Sequence, residues 1–173
     1  LVRRGRYAEA ISMLESSADP YDNQLMAARV YYQHLDREPA REKLRQYMEN
    51  PTVKDPEQRI TDVSEIAQNG RDYEMADEVL RTTSSPSQAL NHAIVKLHLG
   101  QKEEARAYVK TWFEIPRETE SYLSAISTLA LLGFSDLAWE GCETATFSSD
   151  SAWFSVSDTF ISVGASSYAR LAI

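Results

Sequence analysis

Gly100-Gln-Lys-Glu-Glu-Ala105 and Gly133-Phe-Ser-Asp-Leu-Ala138 decide the reading of this chain. The same five-residue step from Gly to Ala recurs from Gly5 to Ala10 and from Gly164 to Ala169. Four of the six glycines take part, against roughly one expected by chance. Gly70-Arg-Asp-Tyr-Glu-Met-Ala76 reads as the same motif with one extra residue, and Asp36-Arg-Glu-Pro-Ala40 as a shortened copy. The anchoring alanines stand at 10, 40, 76, 105, 138 and 169. Their mean separation of about 32 residues suits a unit of two short helices and two turns. In such a unit Gly takes the left-handed conformation that ends the first helix. Ala then sits where the second helix crosses the first, since a larger side chain would push the two apart.

The flanking periodicity is helical. Tyr7, Ala10, Ile11 and Leu14 fall at i, i+3, i+4 and i+7, as do Leu90, Ala93, Ile94 and Leu97, and Ala105, Tyr108, Val109 and Trp112. Alternation of the strand type is absent over any useful length, and the prolines stand mostly at the ends of periodic segments. The expected class is all-α. First-type helices are predicted over about 21–34, 56–69, 87–99, 119–132 and 151–163. Second-type helices are predicted over about 5–17, 38–49, 73–82, 101–114, 134–147 and 165–173. Neither type buries its apolar stripe alone, so the pairs are expected to stack on their neighbours. Residues 1–173 are read as a single domain of such pairs and as a piece of a longer chain.

Composition narrows the function. The 173 residues are 43% hydrophobic and 25% charged, which fits a globular fold rather than a disordered one. Eighteen Lys and Arg against 26 Asp and Glu leave a net charge of −8, so no nucleic-acid partner is expected. Arg3, Arg4 and Arg6 form the densest basic cluster, and it is not repeated along the chain. Cys142 cannot form an internal disulfide and is read as a small buried hydrophobe. No run of 18 apolar residues and no leader is visible, so no membrane insertion is expected and a cytoplasmic location is weakly favoured.

The pieces Gly-Arg-Tyr-Ala-Glu-Ala-Ile at 5–11, Leu-Gly-Gln-Lys-Glu-Glu-Ala at 99–105 and Leu-Gly-Phe-Ser-Asp-Leu-Ala at 132–138 resemble the tetratricopeptide repeat (TPR) family. Tyr122 and Trp153 fall on the family's early aromatic position, and Leu129 and Phe160 on its later large position. Ala93 and Ser157 meet its small position, while Ile126 departs from it. The resemblance implies an α-α superhelix (solenoid) of about five to six TPR-like helix-turn-helix repeats, with first-type helices on the concave side. Counting back from each turn, it places Met26, Ile60, Ser64, Leu90, Ile94, His98, Leu123, Ser127, Phe154 and Asp158 in the groove. That largely apolar list suits an extended or helical peptide. Leu90, Ile94, Leu123 and Ser127 stand where some family members carry a Lys/Asn carboxylate clamp, so that ligand is not implied here.

Catalytic signatures are not found. His34, His92 and His98 are too few and too scattered to read as a metal site, and no cofactor is expected. Phosphate-loop, nucleophile-elbow and His-Glu-x-x-His patterns are missing. Carboxylates such as Asp72, Glu74, Asp77 and Glu78 are read as solvated helix faces. The expectation is a non-enzymatic interaction scaffold or adaptor that binds a peptide or helical segment of a partner protein. The alternative is a regulatory or docking region of a larger multidomain protein, either an enzyme or an envelope-associated export component. Helix 151–163 carries more apolar surface than the short last helix can cover, so the expectation is either self-association through the C-terminal pair or a covering helix that follows Ile173 in the native protein.

Overall fold

The computed structural model describes residues 6–16, 20–49, 55–147 and 150–172, with side chains described except at 20–22 and 150. The described residues form eleven α-helices and no strand. They are α1 (Tyr7–Glu15), α2 (Pro20–Gln33), α3 (Arg37–Glu49), α4 (Pro56–Asn69), α5 (Tyr73–Leu80), α6 (Ala89–His98), α7 (Lys102–Phe113), α8 (Thr119–Leu131), α9 (Ser135–Thr144), α10 (Asp150–Ser162) and α11 (Ser166–Ala169). Every predicted helix is present. The last is far shorter than the predicted 165–173, because the chain turns at Arg170–Leu171 after a single helical turn.

The chain divides into two compact units, Leu1–Ser85 and Pro86–Ile173. Within the first, α1 packs on α2, α2 on α3 and α4, and α4 on α5. Within the second, α6 packs on α7, α8 on α9 and α10 on α11, with α7 beside α9 and α8 beside α10. Sequential helix pairs are therefore the rule in both units.

One turn geometry joins the members of five pairs. In each, an N–H five residues further along the chain bonds back to close the helix end, and a second bond nests inside it, as in a Schellman cap. The donors and acceptors are Asp36 to Tyr31 (3.0 Å), Asp72 to Ala67 (2.8 Å), Gln101 to Lys96 (2.8 Å), Phe134 to Leu129 (3.0 Å) and Ala165 to Phe160 (2.8 Å). The left-handed residue of each turn is Leu35 (φ +63°), Arg71 (φ +55°), Gly100 (φ +75°), Gly133 (φ +87°) and Gly164 (φ +76°). An alanine follows each one by five residues: Ala40, Ala76, Ala105, Ala138 and Ala169, all buried. The glycine-to-alanine spacing therefore reflects a left-handed residue and a helix crossing, and the step of five is constant.

Gly70 corrects the sequence reading. It ends α4 with φ −79°, and Arg71 takes the left-handed place. A Cβ on Gly70 would lie 2.5 Å from Cγ of Tyr32, so Gly70 is required for close approach of that ring. The apparent extra residue in Gly70–Ala76 disappears once the count starts at Arg71.

Leu35 pays for its left-handed conformation without a compensating contact, since it is 88% exposed. Leu35→Gly is expected to stabilise the first unit by about 1 kcal/mol. A urea titration followed by circular dichroism checks this. A loss of stability would mean that the Leu35 side chain makes a packing contribution.

Residues seven places before each left-handed residue are all buried: Ala28, Ser64, Ala93, Ile126 and Ser157. Four of the five are small, which lets the paired helices approach closely. Nine places after it stand Leu44, Leu80, Val109 and Cys142, again buried. In the second unit the core runs on through aromatic contacts. Phe113 stacks on Tyr122 at 5.7 Å, and Phe147 meets Trp153 edge-on at 4.8 Å. Trp139 lies 6.0 Å from Phe160. The Tyr122 hydroxyl accepts from the Arg117 N–H and donates to the Ile115 carbonyl, both at 3.1 Å, so its burial leaves no unmet polar group.

Candidate binding surface

Counting from the observed left-handed residues gives the face of each first-type helix. Positions six and two before the turn are Arg29 and Gln33 on α2, Glu65 and Asn69 on α4, and Ile94 and His98 on α6. On α8 they are Ser127 and Leu131, and on α10 Asp158 and Ser162. None of these ten is buried. Ten places before the turn stand Leu25, Thr61, Leu90, Leu123 and Phe154, also not buried.

Three of the expected groove residues change standing with this register. Ile60 and Ser64 are interior, at 5% and 0% exposure. They were counted from Gly70, one place too early, and Ser64 is in fact the small residue of a helix crossing. Met26 is half exposed but lies one place beyond Leu25, which holds the equivalent position. Thr61 and Glu65 are the positions that the reading missed. The signal for them was already present, because Ala76 minus five is Arg71. Leu90, Ile94, Leu123 and Ser127 are partly exposed, and His98, Phe154 and Asp158 exposed, all in the second unit.

The two units differ in chemistry on this face. In the first, Arg29, Gln33, Glu65 and Asn69 line a depression of about 590 Å³ between the C-terminal ends of α2 and α4. Tyr32, Leu35 and Ile66 share its wall with these polar side chains. In the second, Leu90, Ile94, Leu123, Leu131 and Phe154 share the face with His98, Ser127, Asp158 and Ser162. A depression of about 490 Å³ opens between the N-terminal ends of α8 and α10, lined by Leu123 and Ala152 together with Glu118, Glu120 and the hydroxyls of Thr119, Ser151 and Ser155. Two carboxylates, Glu118 and Glu120, therefore stand beside Leu123 there.

Second-type helices carry most of the ion pairs, and these link one pair of helices to the next. Arg41 and Arg45 on α3 meet Glu74 (3.8 Å) and Glu78 (3.4 Å) on α5. Lys102 and Arg106 on α7 meet Asp136 (2.8 Å) and Glu140 (3.0 Å) on α9. Glu15 on α1 meets Lys43 on α3 at 3.0 Å. Most of these are surface pairs screened by solvent, so they add little to stability. Through them Arg41, Arg45, Lys102 and Arg106 each face a carboxylate. Arg6 pairs with Glu9, while Arg3 and Arg4 lie outside the described residues.

Asp72 and Asp77 depart from the solvated-face reading, for both are buried. Asp72 caps α5 through the Met75 N–H (3.3 Å) and accepts from the Tyr32 hydroxyl (3.0 Å) and from two nitrogens of Arg41 (2.7 and 2.6 Å). Burial pushes its carboxyl up, but the bonds from Arg41, Tyr32 and Met75 outweigh that and hold it below 3.8. It therefore remains an anion through the neutral range and serves as a structural acceptor.

The three histidines stand apart. His34 meets Tyr7 edge-on at 4.7 Å, and His92 is buried and stacked on Tyr108 at 4.0 Å. Among the described residues no group of three His, Cys, Asp or Glu side chains is arranged to hold a metal ion. No described helix is long and apolar enough to cross a membrane. Burial, with a smaller push from Glu143, raises the Cys142 thiol to about 12. Native-state alkylation of Cys142 at pH 8 is expected to run at least a hundredfold slower than in urea, on the order of its opening frequency. Equal rates in mass-spectrometric labelling would contradict the buried placement. No family model, curated protein or solved structure matches the chain.

Proposed function

We propose that the chain is a protein-interaction scaffold built from TPR-like helix pairs, and that its second unit holds a segment of a partner protein. The observation that carries this reading is the partly exposed apolar side chains at equivalent positions of successive first-type helices. Leu90 on α6 and Leu123 on α8 hold the same place before the turn, each next to a buried layer that includes Ala93 and Ile126, and Ile94 and the exposed Leu131 add apolar surface at other places of the face. The constant step from left-handed residue to buried alanine, and the small residues seven places before the turn, support the TPR-like reading of the pairs.

The physics of such a surface favours binding an apolar segment. Side chains fixed on packed helices lose little further freedom when a ligand arrives, so the entropy cost falls mainly on the ligand. Apolar area removed from water contributes about 25 cal/mol per Å². Glu118 and Glu120 beside the depression favour Lys or Arg interspersed among the ligand's apolar residues. The partner is thus an apolar, basic peptide segment. A nucleic acid would meet like charge, because the chain is net −8 and Arg41, Arg45, Lys102 and Arg106 each face a carboxylate.

Selection of a random peptide library on the full chain tests this. Enriched peptides should combine apolar residues with Lys or Arg. Leu123→Glu and Ile94→Glu should each weaken them about tenfold, while Asn69→Glu in the first unit leaves them unchanged. Peptides indifferent to Leu123→Glu and Ile94→Glu would overturn the assignment of the face.

A further inference from the structure

Two of the five turns keep a side chain where the backbone is strained, and both side chains line one depression. Gly100, Gly133 and Gly164 show that this turn needs no side chain at its left-handed position. In the first unit Leu35 (φ +63°) and Arg71 (φ +55°) hold that position, at a conformational cost that glycine escapes. Both are exposed, so core packing does not offset the cost. Both line the depression of about 590 Å³ at the C-terminal ends of α2 and α4. Strained residues of this kind collect at binding sites, where the side chain is needed for contact with a ligand.

The lining specifies the ligand's charge. Arg29 and Arg71 make no ion pair among the described residues. By contrast Lys43, Arg106 and Lys110, which line other depressions, lie 3.0, 3.0 and 3.9 Å from Glu15, Glu140 and Glu114. Gln33 and Asn69 add amide donors, and Glu65 supplies a carboxylate. We infer that this depression binds a phosphate monoester joined to an apolar group. Arg29 and Arg71 would donate charge-assisted bonds to the phosphate oxygens, and Leu35 would cover the apolar group. Glu65 selects between oxyanions. An ionised carboxylate only accepts, so Glu65 repels it. A phosphate monoester can keep an O–H that donates to Glu65 while its other oxygens face the arginines. A further helix of this chain suits the place poorly. The helices here pack through buried apolar side chains, whereas Leu35 is the only apolar residue among the exposed lining. Such a helix would also bury two guanidiniums.

The site lies within the first unit and holds or fails independently of the peptide face of α6 and α8. The probes are hexyl phosphate and its carboxylate twin heptanoate, titrated into the ¹⁵N-labelled full chain at about pH 6, where the phosphate monoanion is well populated. Hexyl phosphate should give saturable amide shifts at residues 29–35 and 65–71, and should bind about tenfold tighter than heptanoate. Glu65→Gln should close most of that gap by letting the carboxylate in. Arg29→Gln and Arg71→Gly should each weaken hexyl phosphate about tenfold. Leu35→Gly should weaken hexyl phosphate but not methyl phosphate, which has no chain for Leu35 to cover. The two glycine variants should nevertheless raise the urea midpoint of the first unit, because they relieve the strained turns. A peptide with phosphoserine beside leucine identifies the carrier. Tighter binding than hexyl phosphate assigns the ester to a protein side chain, and weaker binding assigns it to a small molecule. No saturable shifts, shifts that survive Arg71→Gly, or equal affinity for the two twins would overturn the inference. So would a lower urea midpoint in Arg71→Gly, since the side chain would then serve the turn rather than a ligand.

Discussion

Asp72→Ala is expected to destabilise the first unit by about 3 kcal/mol at pH 7. The carboxylate has no exposed surface and receives bonds from Tyr32, from two nitrogens of Arg41 and from the Met75 N–H. Its removal leaves the buried Tyr32 hydroxyl and the Arg41 guanidinium without their acceptor. Arg41 keeps 23% of its side chain in contact with solvent and lies 3.8 Å from Glu74, so its charge is not stranded. That places the cost at the lower end of the roughly 3–5 kcal/mol range for a broken buried pair.

The pH dependence has a definite sign. The folded Asp72 carboxyl is held below its ordinary 3.8, so its contribution is complete above about pH 5 and is lost as pH falls through the folded value. Burial first, and the Asp72 charge second, raise the Tyr32 hydroxyl above its ordinary 10.0. That contribution is intact below pH 10 and disappears in stronger alkali. Urea titrations of parent and variant, read by hydrogen exchange at first-unit amides, should converge as the solution is made acid. Trp112, Trp139 and Trp153 all lie in the second unit, so tryptophan fluorescence reports the other half of the chain. A variant within about 0.5 kcal/mol of the parent at pH 7, the ordinary range for an inert surface change, would contradict the buried cluster.

Phe113→Ala is expected to cost the second unit about 3–5 kcal/mol. Phe113 is buried, stacked on Tyr122 and edge-on to Trp112 at 4.9 Å. Its ring also lies over Gly141, where an added Cβ would come within 2.5 Å of it. Gly141→Ala alone should therefore cost about 1–3 kcal/mol, because overcrowding outweighs the gain in helix propensity. In the Phe113→Ala background the obstacle is gone. Gly141→Ala should there be neutral or stabilise by up to about 1 kcal/mol. Tryptophan-fluorescence melts of the four proteins give the coupling energy directly. Additive effects would mean that Phe113 does not lie over Gly141.

The helices were legible because their signals are local. Pro56 opens α4 behind the Asp55 cap, and Gly100, Gly133 and Gly164 close three helices with positive φ. The turn at 70–72 was misread because glycine has two uses. Gly70 is small so that Tyr32, 38 positions earlier, can lie against it, and only the folded chain reveals that neighbour. The one-place error carried over to Ile60 and Ser64. Asp72 was grouped with solvated acids for the same reason, since its partner Arg41 is 31 residues away and no i, i+4 rule reaches it. On α6, α8 and α10 the turn glycines were placed correctly, and the groove positions counted from them are partly or fully exposed.

The register of the turns fixes which side chains share the proposed binding face, so the conformation of residues 70 and 71 is the most direct test of that register. Backbone NMR of the full chain, with ¹³C shifts and intraresidue HN–Hα NOEs, reports the sign of φ at both. Arg71 and Leu35 should be left-handed, with Gly70 in the right-handed helical region. A left-handed Gly70 followed by a right-handed Arg71 would contradict the account, because it would restore the count that places Ile60 and Ser64 on the face.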